Sequence, residues 1–80
     1  MSDAIKKVKE NLLFVKCFEP YDFTKSTGQL ALQITFTNGE TLMLTTKSKK
    51  TNVSASFDFV DFKEYFDFVD FLKSNNVPKK

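Results

Sequence analysis

The side chains that carry most enzymatic chemistry are scarce in this sequence. It contains no histidine, a single cysteine (Cys17) and twelve positive charges, all of them lysine. Without imidazole the usual general base at neutral pH is missing, as are the Ser-His and Cys-His pairs that activate nucleophiles. Cys17 has no second thiol to pair with, so it reads as a small buried hydrophobe in a reducing compartment. A metal site would have to be built from carboxylates alone, and the spacing of a calcium loop does not occur. Gly28 and Gly39 are the only glycines, too few for a phosphate-cradling loop. The expectation is a protein that is not an enzyme and that carries no cofactor and no metal.

What the sequence offers instead is a concentration of carboxylates and phenylalanines. Residues 56–72, SFDFVDFKEYFDFVDFL, hold five acids against Lys63 alone, a local charge of −4 in a chain whose net charge is +2. The hexapeptide FDFVDF occurs there twice, nine residues apart, a spacing too short for a solenoid unit. From Asp61 onward the apolar residues follow a helical period, with Phe62, Phe66, Val69 and Leu72 expected against the core. Glu64, Asp67, Asp70 and Phe71 then share the outward side, one large aromatic among three carboxylates. An aromatic anchor with an acidic rim is the chemistry of a protein-binding patch, suited to a partner with a basic surface.

The lysines support a second reading, nucleic-acid binding. Lys47, Lys49 and Lys50 cluster in one polar connection, further lysines lie near both ends, and Tyr21 and Phe23 are available as stacking platforms. Against it, the planar two-pronged donor of arginine is missing. The acidic segment would also repel a phosphate backbone.

These residues must be positioned by elements that the sequence marks with uneven clarity. Ala4, Ile5 and Val8 recur at helical spacing, so a short helix is expected over 2–10, with Ser2 or Asp3 as its N-cap. Residues 12–18 are rich in strand formers yet apolar on both parities, and a strand is preferred. Residues 19–28, with Pro20 and Gly28, read as a loop. The clearest local signal is a hairpin over 29–47. A two-residue Asn38-Gly39 turn would set Leu42 and Leu44 opposite polar residues and mix the two faces. A three-residue loop, Thr37-Asn38-Gly39, with Gly39 left-handed in a bulge, pairs Phe36 with Glu40, Ile34 with Leu42 and Leu32 with Leu44. Val53, Ala55, Phe57 and Phe59 alternate with polar residues and predict a further strand over 53–59. A helix is expected over 61–74, opened by Asp61 and Glu64 at capping-box spacing and closed by Asn75-Asn76 and Pro78, with a frayed tail over 76–80.

Runs of strands followed by a helix indicate an α+β fold. The expected architecture is a four-stranded antiparallel meander, with the C-terminal amphipathic helix across its aliphatic face and a short N-terminal helix. Eighty residues, 41% hydrophobic and 28% charged, make one small globular domain with a modest core. The longest apolar run, Leu12–Val15, is too short for a signal or a membrane span, so the expected setting is the cytoplasm. The expected function is that of a small non-catalytic binding module, an inhibitor or adaptor, working through the acidic helix face or a sheet edge. Homodimerisation by edge pairing is a further expectation. A lysine-rich chain without arginine or motif also fits a phage or mobile-element origin.

Overall fold

The computed structural model describes residues 3–48 and 57–80. The elements follow in the order α1 (Asp3–Glu10), a single 3-10 turn (Leu12–Phe14), β1 (Val15–Phe23), β2 (Gln29–Phe36), β3 (Thr41–Thr45) and α2 (Phe62–Ser74). The class is α+β. A three-stranded antiparallel sheet, ordered β1-β2-β3, carries both helices on one face. Among the described residues no helix is long and apolar enough to cross a membrane.

The hairpin forms in the register that keeps its faces unmixed. Ile34 pairs with Leu42 and Leu32 with Leu44. The Phe36 amide donates to the Glu40 carbonyl at 2.8 Å, and Gly39 closes the loop at φ 92°, a backbone that glycine adopts without steric cost. Leu30, Leu32, Ile34, Phe36 and Leu44 are all buried beneath the helices, where Ile5, Val8, Phe18 and Phe59 join them.

Strand β1 departs from expectation at both ends. It starts at Val15, because residues 12–14 form the 3-10 turn. The register slips between Val15 and Cys17. That bulge turns both Val15 and Phe18 inward, which explains why this stretch is apolar on both parities. The strand then runs on to Phe23 through the segment expected to be a loop, with Pro20 opposite Leu32. Proline is tolerated because β1 is an edge strand. The Phe18 amide points away from β2, donating to the Pro78 carbonyl at 3.1 Å, and by the strand's period of two the Pro20 nitrogen faces the same outer side.

The fourth strand is also corrected. Residues 53–56 lie outside the described residues, and 57–59 form no antiparallel strand. Phe59 makes one parallel bridge with Thr46, and the Asp58 carboxylate accepts the Thr45 amide at 3.1 Å, taking the place of a strand partner at the edge of β3.

Helix α2 starts where its cap predicts: Asp61 accepts the Glu64 amide at 2.9 Å. It ends with Asn76 at φ 62°, the Asn76 amide bonded to the Lys73 carbonyl at 3.1 Å and the Val77 amide to the Leu72 carbonyl at 3.0 Å. This is a Schellman closure, and it points Val77 into the core. Instead of fraying, residues 78–80 run beside β1, and the Lys80 amide donates to the Phe18 carbonyl at 2.8 Å. The rotation of α2 differs from expectation as well. Tyr65, Phe68, Val69 and Leu72 are buried, whereas Phe66, expected in the core, is 54% exposed.

This rotation is tested by truncating each ring. Phe68→Ala should cost about 3–5 kcal/mol of unfolding free energy, and Phe66→Ala no more than about 1 kcal/mol, in urea unfolding followed by circular dichroism. Equal losses would mean that the helix sits as its sequence periodicity suggested.

Candidate functional site

Asp61 fixes the first turn of α2 and thereby the direction of the flank that carries Glu64, Asp67 and Phe71. Successive helical residues turn by 100°, so this flank faces the side on which α1 lies, with Ile5 and Lys9. Residues 57–60 cross between the helices and the edge of β3 and supply a third wall. Together they enclose an open groove of about 650 Å³. Ile5, Phe57, Phe59, Phe68 and Phe71 give it apolar walls, and Asp58, Glu64 and Asp67 stand among them.

The geometry divides the patch read from sequence. Glu64, Asp67 and Phe71 line the groove; Asp70 is exposed but does not, because it lies about 120° around the helix from Glu64. Phe71 does not stand out among the carboxylates. It is half-buried, its ring stacked on Phe68 with centroids 5.8 Å apart and planes 25° from parallel. The outward aromatic on α2 is Phe66, on the opposite flank from the groove, its ring edge-on to Tyr65 at 5.2 Å.

Each groove carboxylate already has a light tether. Asp58 holds the Thr45 amide, Glu64 accepts the Val60 amide at 3.4 Å, and Asp67 lies 3.6 Å from Lys63 in an exposed i,i+4 pair. Two lysines sit on the aromatic walls: Lys9 Nζ is 5.5 Å from the centre of the Phe71 ring and Lys47 Nζ is 5.9 Å from that of Phe57. Lys9, Ile5, Asp58 and Phe57 were not singled out from sequence for this role. Periodicity shows which face of each helix is apolar and carries no sign that α1 and α2 lie side by side.

The lysine cluster of the second reading is only partly described. Lys47 is exposed and engaged with Phe57, while Lys49 and Lys50 lie outside the described residues. Tyr21 and Phe23 lie on β1, on the sheet face away from the helices, with rings 5.9 Å apart and parallel within 3°. The Tyr21 hydroxyl donates to Glu19 Oε1 at 2.5 Å, with Gln33 Oε1 at 3.2 Å, and this contact with Glu19 raises its pKa. Asp22 is lowered by the Thr24 hydroxyl and amide that donate to it. Among the described residues no group of three or more metal-ligating side chains gathers. Comparison with protein-family models, with curated proteins and with solved structures finds no match.

Behind the groove, Tyr65 is locked by its hydroxyl, which donates to the Ala31 carbonyl at 2.9 Å. Burial raises its pKa above the ordinary 10.0, and the Asp22 carboxylate adds to the effect. The folded chain therefore holds this proton more tightly than the unfolded chain. The resulting stability is present below the unfolded value of about 10 and is lost as pH climbs through the higher folded value. Tyr65→Phe should cost about 1–2 kcal/mol at neutral pH, because the Ala31 carbonyl loses its donor. It should also show a smaller further loss than the parent as pH rises above about 10 when urea midpoints are compared. An identical alkaline decline in both proteins would contradict this role.

Proposed function

We propose that this protein is a non-catalytic binding module, an adaptor or inhibitor, whose groove beside α2 receives a basic, apolar-anchored segment of another protein. The observation that carries the reading is the groove itself: aromatic and aliphatic walls with three carboxylates among them, preformed between α1, residues 57–60 and α2. Apolar walls supply the area whose removal from water drives association, at about 25 cal/mol per Å². The carboxylates select a cationic partner and speed its approach. Cys17, the single and unpaired cysteine, suits a cytoplasmic setting.

A basic amphipathic peptide is a direct probe. The acetylated, amidated peptide LRLLRL should bind by fluorescence anisotropy at 0.15 M salt, and its acidic counterpart LELLEL should not. Replacing both Glu64 and Asp67 by Lys should weaken binding at least about ten-fold, equivalent to 1.4 kcal/mol. Asp70→Lys, a reversal one turn away but outside the groove, should weaken binding less than Asp67→Lys alone, since an exposed carboxylate that does not line the cavity makes no direct contact with the peptide. Equal losses in both proteins would show a general charge effect and remove the groove as the site.

The nucleic-acid reading keeps one observation in its favour, the pair Tyr21 and Phe23 on the open face of the sheet. It requires binding of single-stranded nucleic acid at low salt that falls steeply as salt rises. With Lys47 engaged on Phe57 and carboxylates in the groove, the expected outcome is no measurable binding at 0.15 M salt.

A further inference from the structure

Two lysines stand out because each rests on an aromatic ring of the groove wall: Lys9, which lines the groove, and Lys47, which does not. Phe71 has one ring partner in Phe68 and a cation, Lys9 Nζ, at 5.5 Å; Phe57 carries Lys47 at 5.9 Å. Among the described residues Lys9 makes no ion pair with the groove's carboxylates, although Glu64 and Asp67 line the same cavity. Lys9 is exposed, and its contact with Phe71 is of the weak, solvent-accessible cation–π kind. A long, rotamer-rich side chain also loses freedom by staying there.

We propose that the Phe71 ring is the cation subsite of the groove, that Lys9 holds it in the unbound protein, and that an arginine of the bound segment replaces Lys9 there. This deepens the binding reading above and rests on it. Three features carry it. The ring face already binds a cation. The carboxylates Glu64 and Asp67 favour positive charge in the same cavity. A guanidinium is planar, less strongly hydrated than an ammonium and stacks on aromatic faces, so it outcompetes lysine for such a ring. Phe57, on the other wall, also carries a cation, Lys47, although Lys47 itself does not line the cavity.

The test uses the full chain and the LRLLRL peptide. In the unbound protein the Lys9 ε-methylene protons should be shifted upfield by the Phe71 ring in NMR spectra, should lose that shift in Phe71→Leu, and should lose it in the parent when the peptide saturates. Lys9→Met keeps the stem and removes the charge, and it should tighten peptide binding about two- to five-fold, the size of an exposed cation–π contact. Lys6→Met removes an equal charge from the same helix and breaks only an exposed pair with Glu10 at 3.9 Å, so it should tighten binding by less. In the Phe71→Leu background the gain from Lys9→Met should vanish. If Lys9→Met gains no more than Lys6→Met, or if the Lys9 shift survives saturation, the subsite assignment fails while the groove reading stands. If LRLLRL does not bind the parent protein, the groove reading itself falls and the subsite with it.

Discussion

The ring of Phe59, only 1% exposed, lies against both Tyr65 and Phe68, with centroids 5.7 and 5.6 Å away, while its main chain bonds to Thr45 and Lys47. One residue thus ties the edge of β3 to the first turns of α2. The remainder of the helical layer follows from that tie. With Phe59 fixed, Asp61 caps the helix two residues later, and Tyr65 reaches the Ala31 carbonyl of the central strand. Val69 and Leu72 continue the same buried stripe to Val77, where the Schellman closure delivers the tail to the edge of β1. Buried aromatic contacts of this kind bring large apolar area together with defined geometry.

The groove is the by-product of that arrangement. Residues 57–60 must leave the sheet edge to let Phe59 point inward, so Phe57 remains 40% exposed at the groove wall. Helix α1 buries Ile5 and Val8 against the same core and brings Lys9 over Phe71. A pocket bordered by Phe rings and carboxylates is left between these elements. Its acidity belongs to the same segment that supplies part of the core, since Phe and acidic residues are interspersed through residues 57–71.

Legibility differed from element to element for physical reasons. The hairpin register could be derived because only one pairing leaves Leu32, Ile34, Leu42 and Leu44 on a common face. The ends of α2 could be derived because its caps, Asp61 and the Asn75-Asn76 pair, satisfy the helix's own terminal groups. The rotation of α2 was not legible. Phe62, Tyr65, Phe66, Phe68, Val69, Phe71 and Leu72 cover well over half of the helix circumference, so periodicity permits several inward faces. Helix α1 covers the Phe71 flank and leaves Phe66 in water. For the same reason, three of the four residues picked as a patch share the groove and Asp70 does not.

By itself the sequence determined what short-range chemistry can decide: one α+β domain, a three-residue hairpin loop closed at Gly39, a capped acidic helix, and an excess of aromatic and acidic side chains in one segment. The tertiary structure decided what depends on neighbours distant in the chain. β1 continues through Pro20 because an edge strand has no ladder bond to lose there. Residues 78–80 are ordered because the outward Phe18 amide and carbonyl need partners. Glu64, Asp67 and Phe71 meet Lys9 and Phe57 because both helices share one face of a narrow sheet. No pattern in residues 57–72 records where α1 will lie, and burial of apolar surface is non-directional until the partner surface is in place.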